Sequence, residues 1–279
     1  MNLIDGKTLK NKILSEIKKE IETKKIKATL AIILIGNNEA SKIYVRNKIK
    51  ACEEVGIESK LFLLDENTTE REACNLINEL NDDNDITGII LQSPVPNQID
   101  FNKCSSLIKP HKDVDGFTNK NIYNLYLNNE TLIPCTVKAI IYLLEQYNIN
   151  LEGANITIVG RGNIVGKPLA LALLNRNSTV TIAHSKTKNL SEITKNADIL
   201  ISAVGKPNLI TANMVKDNAV VIDVGISRVD EKVVGDVDFL SVAPKCKYIT
   251  PVPGGVGPMT VAMIMKNVLI AKETSDNNG

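Results

Sequence analysis

The chain has 279 residues, enough for one large domain or two modest ones, and 43% of them are hydrophobic. Its 33 Lys and Arg residues nearly balance its 32 Asp and Glu residues, and a net charge of +1 gives no general attraction to nucleic acid. No apolar run approaches the roughly 18 residues of a membrane span. We therefore expect a soluble globular protein that binds neither nucleic acid nor membrane, with a largely aliphatic core because only 4% of residues are aromatic.

Cysteine and histidine residues give no sign of a disulfide framework or a metal site. The five cysteines are widely spaced without a CxxC pair, and the two histidines, His111 and His184, form no ligand pair. The first twenty residues mix acids with lysines and lack the apolar stretch of a secretory signal. We expect a cytoplasmic protein that uses no metal.

Short aliphatic runs alternate with longer segments of helical period, which is typical of α/β proteins with a mainly parallel sheet. The predicted strands are Leu30–Ile35, Lys60–Leu64, Gly88–Leu91, Asn155–Val159, Val180–Ala183, Ile199–Ala203 and Val220–Val224. The predicted helices are Leu9–Glu22, Glu39–Val55, Thr69–Leu80, Thr136–Tyr147, Lys167–Asn175, Leu190–Lys195 and Pro258–Lys272. The stretch Lys109–Asn129 is predicted to be a loop that crosses between two lobes. The last helix could pack on the first lobe or close the sheet of the second, and the pattern leaves both open.

Within the helix predicted over Glu39–Val55, Tyr44 and Lys48 are four residues apart and so lie on one face. The apolar stripe of that helix contains Ala40, Tyr44, Ala51 and Val55, and Lys48 falls inside it. One interpretation is a lysine whose stem lies along the stripe while its amine reaches water. The other is a partly desolvated amine suited to proton transfer. A Tyr-Lys pair also suggests a short-chain dehydrogenase, but there the nucleotide loop precedes the pair, whereas here it follows.

Polar side chains at two loop positions are further candidates, because open α/β sheets collect functional groups at strand ends. Gln92 comes just after a predicted buried strand and before two prolines, although a Gln there could simply cap the strand. Asp113 and Asp115 lie beside a glycine in Lys112-Asp-Val-Asp-Gly-Phe117, where ordinary turn chemistry is the alternative.

A glycine-rich turn, Gly160-Arg-Gly-Asn-Ile-Val-Gly166, joins a predicted strand to a predicted helix. Glycines in this setting let the backbone approach a pyrophosphate, whose charge is stabilised by amide groups and the helix dipole. The GxGxxxG spacing is one residue longer than the usual dinucleotide fingerprint, and a simple strand-to-helix turn can use glycines too. We interpret the segment as a dinucleotide-binding loop.

The segment after the next predicted strand favours NADP over NAD. NAD sites place an Asp or Glu about 20 residues beyond the loop to bind the ribose 2′-hydroxyl. Here the strand runs into His184-Ser-Lys-Thr-Lys188, which contains no carboxylate. Arg161, Ser185 and the nearby lysines could instead bind a 2′-phosphate, although Lys188 is better explained as a solvated surface residue.

Taken together, these segments resemble the bifunctional methylenetetrahydrofolate dehydrogenase/methenyltetrahydrofolate cyclohydrolase family over nearly the whole chain. The resemblance rests on nine motifs in order: Ser41-Lys-Ile-Tyr-Val-Arg-Asn-Lys48, Leu91-Gln-Ser-Pro-Val-Pro96, Lys112-Asp-Val-Asp-Gly-Phe117, Pro134-Cys-Thr136, Gly160-Arg-Gly-Asn-Ile-Val-Gly-Lys-Pro168, His184-Ser-Lys-Thr187, Val221-Ile-Asp-Val-Gly-Ile226, Gly235-Asp-Val-Asp-Phe239 and Thr250-Pro-Val-Pro-Gly-Gly-Val-Gly-Pro-Met-Thr260.

The resemblance implies a two-lobed α/β enzyme with a cleft between its lobes. Residues 1–135 would form the folate-binding catalytic domain, completed by the returning C-terminal helix 258–279, and residues 136–257 would form a Rossmann-type NADP-binding domain. It also implies a homodimer built mainly through the nucleotide lobe, acting in one-carbon metabolism and purine biosynthesis. The activities implied are oxidation of 5,10-methylenetetrahydrofolate with NADP⁺ and hydrolysis of the methenyl product to 10-formyltetrahydrofolate.

The resemblance assigns roles where the motifs match. Lys48 would be the central catalytic group, Gln92 would hold and tune its amine, Tyr44 would orient the folate, and Asp115 would bind the amino-pyrimidine edge of the pterin. Three residues, Pro253, Gly254 and Gly255, would shape the wall between folate and nicotinamide. The NADP contacts would come from Gly160, Arg161, Gly162, Ser185 and Ile226.

Four positions depart from the family pattern: Gly162 replaces a typical Ser, Ser93 a Leu, Val137 a Pro and Tyr123 a common Gly. The first removes a hydroxyl from the phosphate end, which puts NADP affinity and the discrimination against NAD in question. Two rival functions remain: a dehydrogenase without hydrolase activity or with another substrate, and a folate-binding relative without turnover.

Overall fold

The structure, a computed structural model, describes residues 2–230 and 232–278, and helices alternate with strands along most of them. The strands are β1 (Asn2–Leu3), β2 (Thr29–Ile35), β3 (Glu58–Leu64), β4 (Gly88–Leu91), β5 (Asn155–Val159), β6 (Thr179–Ala183), β7 (Ile199–Ser202), β8 (Val220–Asp223), β9 (Ser227–Val229), β10 (Lys232–Val234) and β11 (Tyr248–Ile249). The helices are α1 (Gly6–Lys24), α2 (Glu39–Val55), α3 (Glu70–Asp82), α4 (Phe101–Ser106), α5 (Asn119–Tyr126), α6 (Cys135–Gln146), α7 (Gly166–Leu174), α8 (Leu190–Lys195), α9 (Phe239–Val242) and α10 (Val256–Asn278). Ala212–Met214 and Ala243–Lys245 form 3₁₀ turns.

The chain divides into two units. One contains the residues up to Lys10 and Thr136–Thr260, and the other contains Asn11–Cys135 and the residues from Val261 onward. Residues 1–10 were predicted to belong to the first domain, but they group with the second because β1 pairs in parallel with β11. A two-residue strand carries too little periodicity to be recognised in the sequence.

The unit containing Asn11–Cys135 is built on a parallel three-stranded sheet in the order β3-β2-β4. The central strand β2 is buried over all seven residues, which explains its continuous aliphatic sequence. Its core includes Ile33, Ile77 and Ile89. The carboxyl ends of β2 and β4 lead directly into the segments that carry Lys48 and Gln92, so this sheet positions both residues.

The other unit contains a six-stranded parallel sheet in the order β1-β11-β8-β7-β5-β6, with β9 and β10 paired as a separate antiparallel ribbon. The strand order reverses around β5, whose neighbours are β6 and β7. Loops that follow β5 and β7 diverge there, and such switch points are where doubly wound sheets bind ligands. This is the Rossmann-type arrangement expected from the sequence.

Two expectations for the connecting segments were wrong. The predicted loop Lys109–Asn129 does not cross between lobes, because it lies wholly within the unit that contains Asn11–Cys135. It also contains the helix α5, which begins after Thr118 and is short enough to escape detection by period alone. The predicted strands ending at Ala203 and Val224 both stop one residue earlier. Among the described residues, no helix is both long and apolar enough to cross a membrane.

Candidate active site and cofactor loops

The helix α2 carries Lys48 on its buried face. Asn38 caps the helix by accepting a hydrogen bond from the Ser41 amide at 3.0 Å, and Gly56 ends it in the left-handed conformation at φ 86°. The buried residues of α2 are Ser41, Val45, Lys48, Ala51, Cys52 and Val55. The predicted inward position of Lys48 is therefore confirmed, whereas Ala40 and Tyr44, predicted in the same stripe, are exposed. In the first half of the helix the buried positions are Ser41 and Val45 instead, one residue after the predicted ones, while Ala51 and Val55 are buried as predicted.

Lys48 and Gln92 form a hydrogen-bonded pair. The side chain of Lys48 is buried, and its Nζ donates to Gln92 Oε1 at 2.9 Å. Gln92 is itself fixed, because its side-chain Nε2 donates to the Ser93 carbonyl at 2.6 Å and its backbone N–H donates to the Ile33 carbonyl on β2. A neutral amide partner holds the amine in place without supplying a counter-charge. The burial of the side chain favours the interpretation of a partly desolvated amine over that of a lysine that extends into water.

Asp113 and Asp115 differ in role although they are two residues apart. Asp113 is buried and its carboxylate accepts hydrogen bonds from the amides of Gly116 and Thr118 and from Asn121 Nδ2, at 2.7–2.9 Å. These contacts are the turn chemistry that the sequence analysis allowed as an alternative. Asp113 therefore organises the loop that presents Asp115.

Burial raises the pKa of the Asp115 carboxyl above its ordinary value, and the negative charge of Asp113 adds to this effect. The ammonium of Lys48 opposes the increase in the pKa of Asp115, so the two side chains interact electrostatically. The structure thus brings Lys48, Gln92 and Asp115 into one polar cluster in the unit of the three-stranded sheet. Tyr44, on the same helix as Lys48, keeps 36% of its surface exposed.

The residues that hold the Asp115 loop were not predicted from the sequence. Asn267 on α10 is fully buried, and its Nδ2 donates to the carbonyls of Val114 and Ile133 at 2.9 and 3.3 Å. Gly116 has a φ of +82°, and a Cβ there would lie 2.4 Å from the Ile133 backbone. An Asn inside an apolar helical run was the available sequence signal, because a buried amide needs partners.

The loop between β5 and α7 has the shape that a pyrophosphate requires. Gly160 has a φ of +127°, and a Cβ there would lie 2.3 Å from the Ala203 carbonyl oxygen. A Cβ on Gly166 would similarly lie 2.3 Å from the Gly160 oxygen, whereas one on Gly162 would meet open space. Two glycines thus close the turn, and the backbone around the third is left open beside the start of a nine-residue helix. These residues fit a dinucleotide phosphate.

The other predicted cofactor residues lie in the same unit, at the carboxyl edge of the same sheet. Ser185 is exposed in a turn after β6, held by a hydrogen bond from the His184 amide to Thr187 Oγ1 at 2.8 Å. Arg161 is exposed in the loop after β5, and β5 pairs directly with β6. Ile226 follows β8 and is 46% exposed. No carboxylate occurs from His184 to Lys188, which suits a 2′-phosphate.

The predicted wall residues Pro253, Gly254 and Gly255 also belong to this unit. Gly254 has a φ of +116° and its carbonyl accepts a hydrogen bond from the Lys7 amide at 3.1 Å. A Cβ on Gly6 would lie 1.9 Å from the Gly255 oxygen. The first turn of α1 therefore packs tightly against this loop and fixes its path.

A buried lysine beside a neutral amide in one unit, and a glycine loop at a sheet switch point in the other, define an α/β enzyme with a Rossmann-type nucleotide-binding domain. The family model described as "Tetrahydrofolate dehydrogenase/cyclohydrolase, catalytic domain" matches residues 4–115, and the model for the NAD(P)-binding domain of that family matches residues 134–276. The chain therefore belongs to the tetrahydrofolate dehydrogenase/cyclohydrolase family.

Individual relatives agree with this assignment over nearly their full lengths. The bifunctional protein FolD of Campylobacter concisus is 50% identical over 277 residues, covering 98% of each chain. The structure of the bifunctional methylenetetrahydrofolate dehydrogenase/cyclohydrolase of Campylobacter jejuni matches with a TM-score of 0.96 at 46% identity, covering 99% of each chain. A Trypanosoma brucei enzyme of the same activities, solved with NADP and an inhibitor, matches with a TM-score of 0.94 at 35% identity over 98% of each chain.

Proposed function

We propose that Lys48, Gln92, Tyr44 and Asp115 carry both activities of this family in the chain. The enzyme oxidises 5,10-methylenetetrahydrofolate to 5,10-methenyltetrahydrofolate with NADP⁺, and it hydrolyses the methenyl product to 10-formyltetrahydrofolate. The observation that carries the residue assignment is the buried hydrogen bond between Lys48 Nζ and Gln92 Oε1 at 2.9 Å. It places a fixed amine in a site where a neutral partner, rather than a carboxylate, holds it.

In the oxidation, the protein aligns its substrates and lowers the entropy cost of bringing them together. When bound, NADP⁺ accepts the two electrons and the hydrogen that leave the methylene carbon. Lys48 polarises the folate, and Tyr44 orients it through its exposed ring. Gln92 holds the Lys48 side chain through a neutral oxygen, so it adds no further charge beside the methenyl cation.

In the hydrolysis, water adds to the methenyl carbon and the bond from that carbon to one nitrogen breaks. The water loses one proton as it attacks the cation and a second as the formyl carbonyl forms; the departing nitrogen gains one proton, and the other is released to solvent. Lys48 moves these protons, since an amine held at a fixed position can accept one and return it. Gln92 keeps the amine in that position through its carbonyl oxygen, while the Ser93 carbonyl holds the Gln92 amide group.

Asp115 binds the amino-pyrimidine edge of the pterin, because a carboxylate can accept hydrogen bonds from two adjacent N–H donors. The contacts of Asp113 and Asn267 support this role by fixing the loop on either side of Asp115. In the other unit, Gly160, Arg161, Gly162, Ser185 and Ile226 bind NADP⁺, and Pro253, Gly254 and Gly255 form the wall between folate and nicotinamide.

We also propose a cytoplasmic homodimer formed through the nucleotide-binding unit, serving one-carbon metabolism and purine biosynthesis. The edge strand β6 pairs with β5 on one side, and its residue Ile182 is 39% exposed. Leu174, at the end of the preceding helix, is 53% exposed. An exposed strand edge with apolar side chains favours association with another copy. Light scattering coupled to size-exclusion chromatography, on the wild type and on Ile182→Lys, would measure the oligomeric state.

The decisive experiment is a coupled spectroscopic assay on purified protein supplied with 5,10-methylenetetrahydrofolate and either NADP⁺ or NAD⁺. Reduced cofactor and methenyl product are followed together, and hydrolysis of added methenyltetrahydrofolate is compared with its spontaneous rate. We expect NADP-dependent reduction with little accumulation of methenyl product. Accumulation would identify a dehydrogenase without hydrolase activity, and ligand binding without NADPH formation would identify a folate-binding relative without turnover.

A further inference from the structure

Two buried carboxylates in the nucleotide-binding unit have no part in the proposed chemistry. Asp223 is the last residue of β8 and is 4% exposed, and Asp236 follows β10 and is fully buried. Both belong to motifs by which the sequence resembles its family, Val221–Ile226 and Gly235–Phe239. Buried carboxylates are costly unless their oxygens accept hydrogen bonds, so the partners of these two indicate what they do.

Asp236 holds the loop that follows β7. Its Oδ2 accepts hydrogen bonds from Ser202 Oγ at 2.9 Å and from the Val204 amide at 2.7 Å, and its Oδ1 accepts one from the Lys206 amide at 2.8 Å. The loop is thereby tied at two backbone positions. It lies against the phosphate loop, because Ala203 is the residue that a Cβ on Gly160 would strike.

Asp223 holds the loop that follows its own strand and the segment that carries Asp236. Its Oδ1 accepts hydrogen bonds from the amides of Gly225 and Asp236, both at 3.0 Å, and its Oδ2 accepts one from the Val237 amide at 2.9 Å. Its own amide donates to Thr250 Oγ1 at 2.7 Å. Thr250 begins the loop that contains Pro253, Gly254 and Gly255.

The backbone is shaped to bring the two carboxylates this close. A Cβ on Gly225 would lie 2.2 Å from Asp236 Oδ1, and a Cβ on Gly235 would lie 1.9 Å from Asp223 Oδ2. Asp236 therefore packs on Gly225, two residues after Asp223, and Asp223 packs on Gly235, the residue before Asp236. Any side chain at either glycine would separate the carboxylates from the amides that they bind.

The hydrogen bonds form a continuous chain through three loops at the carboxyl edge of the sheet. Asp236 fixes the loop after β7, Asp223 fixes the loop leading to Ile226, and Thr250 connects the loop leading to Gly254. The first of these touches the phosphate loop at Gly160. The first two loops adjoin predicted cofactor-binding residues, and the third carries the residues predicted to form the wall between folate and nicotinamide.

We propose that Asp223 and Asp236 are positioning residues that set the cofactor-binding loops in the shape that NADP⁺ requires. The inference rests on the proposed NADP⁺ site and adds to it two residues that do not touch the cofactor. Carboxylates suit this role because they only accept hydrogen bonds, and both oxygens of each one face backbone N–H groups. An Asn at either position would turn an NH₂ group toward an N–H, whichever way its amide is oriented.

The test compares Asp236→Asn with Asp198→Asn. Asp198 lies immediately before β7, where it accepts hydrogen bonds from Lys216 Nζ and the Asn155 amide, so the control makes the same chemical change at the opposite edge of the same sheet. The dissociation constant of NADP⁺ is measured by calorimetry, and hydrolysis of added methenyltetrahydrofolate is measured without NADP⁺. We expect Asp236→Asn to weaken NADP⁺ binding by on the order of 10-fold, with hydrolysis within about 2-fold of the wild type, and Asp198→Asn to change neither.

Thr250 supplies a second variant should Asp236→Asn fail to fold. Thr250→Val keeps the shape of the side chain and removes the acceptor of the Asp223 amide, whereas Thr250→Ser keeps the hydroxyl. We expect the Val variant to bind NADP⁺ more weakly and the Ser variant to restore most of the affinity.

Unchanged NADP⁺ affinity in folded Asp236→Asn and Thr250→Val would overturn the inference. An equal loss of NADP⁺ affinity and hydrolysis would also overturn it, because a general structural role affects both. Failure of the proposed function would be seen separately, in the wild type, as absent hydrolysis or absent NADP⁺ binding.

Discussion

Each of the two units buries ionisable side chains that form none of the salt bridges among the described residues. The two units differ in how many hydrogen bonds those side chains make. In one, Lys48 Nζ donates a single described hydrogen bond, to the neutral oxygen of Gln92. In the other, Asp223 and Asp236 together accept six hydrogen bonds, five from backbone amides and one from a hydroxyl. The lysine has hydrogen-bonding capacity left for a substrate, whereas the carboxylates have theirs occupied by the protein.

This difference separates groups that react from groups that position. A saturated buried charge is expensive to disturb and fixes the backbone around it, whereas a sparsely bonded one can exchange partners during a reaction. If the distinction is sound, changing Lys48 should remove one activity, and changing the carboxylates should alter loop geometry and stability.

Lys48→Met carries the largest expected effect. Methionine fills much of the same volume but cannot transfer a proton, so we expect the rate of methenyltetrahydrofolate hydrolysis to fall by roughly 10²- to 10⁴-fold. The rate is followed by the loss of methenyl absorbance, with circular dichroism as a check that the variant folds. Lys50→Met changes an exposed lysine on the same helix and should leave the rate unchanged. Normal hydrolysis by folded Lys48→Met would show that another group moves the protons.

The effect of burying the Asp223 carboxyl on stability can be measured from the pH dependence of the free energy of unfolding. Burial, with a smaller contribution from the charge of Asp236, raises the pKa of Asp223 from its ordinary 3.8 to about 6, and three backbone amides oppose the increase. The folded protein thus binds this proton more tightly than the unfolded chain does. Its contribution to stability is therefore greatest at low pH and falls as pH rises through about 6.

Between about pH 4 and pH 7 we expect the unfolding free energy of the wild type to fall, relative to Asp223→Asn, by up to about 3 kcal/mol. Urea titrations of both proteins across this range give the difference. Asp198→Asn is a control of opposite sign, because the hydrogen bond from Lys216 lowers the pKa of Asp198 and its contribution is lost as pH falls. A difference between wild type and Asp223→Asn that does not vary with pH would mean that Asp223 keeps one charge state throughout.

The sequence predicted the units and the main sites better than it predicted their boundaries and supports. Long aliphatic runs such as β2 identify buried parallel strands with little ambiguity, because few other environments tolerate seven consecutive buried residues. Lys48 was detectable as a charge inside an apolar stripe. The strand β1 was not, since its two residues gain their structure from pairing with β11 far along the chain.

The supporting residues escaped for a related reason. Asp223 and Asp236 were visible in their motifs, yet the spacing of residues along the chain does not show which distant backbone N–H groups donate hydrogen bonds to them. The same holds for Asn267, whose partners lie more than 130 residues away. Long-range hydrogen bonds depend on the register of packed elements, and local patterns carry no record of it.

Asp115→Asn changes a residue of the Lys48 cluster, and we expect a smaller loss of activity than for Lys48→Met. Losing a charge-assisted contact to the pterin should lower kcat/KM by roughly 10- to 150-fold, equivalent to about 1.5–3 kcal/mol. Because burial raises the pKa of Asp115, the wild-type kcat/KM should also fall with decreasing pH earlier than an ordinary carboxyl would allow. The variant should lack that acidic limb, and persistence of the limb in Asp115→Asn would assign it to a different group.

Gly162→Ser carries the smallest expected effect. It tests whether the backbone N–H groups of the loop alone supply the hydrogen bonds that the cofactor phosphates need. A Cβ at Gly162 would meet no atom within 4 Å, so a serine fits without displacing its neighbours. An added hydroxyl should strengthen NADP⁺ binding by roughly 2- to 10-fold, the value of one neutral hydrogen bond. Gly162→Ala adds the carbon without the hydroxyl and should give no gain. Calorimetry with NADP⁺ and NAD⁺ locates the new contact, because a bond to the pyrophosphate strengthens both cofactors and a bond to the 2′-phosphate strengthens only NADP⁺. Equal affinities for Gly162→Ser and the wild type would mean that the backbone amides already satisfy the phosphates, as the amides around Asp223 and Asp236 satisfy those carboxylates.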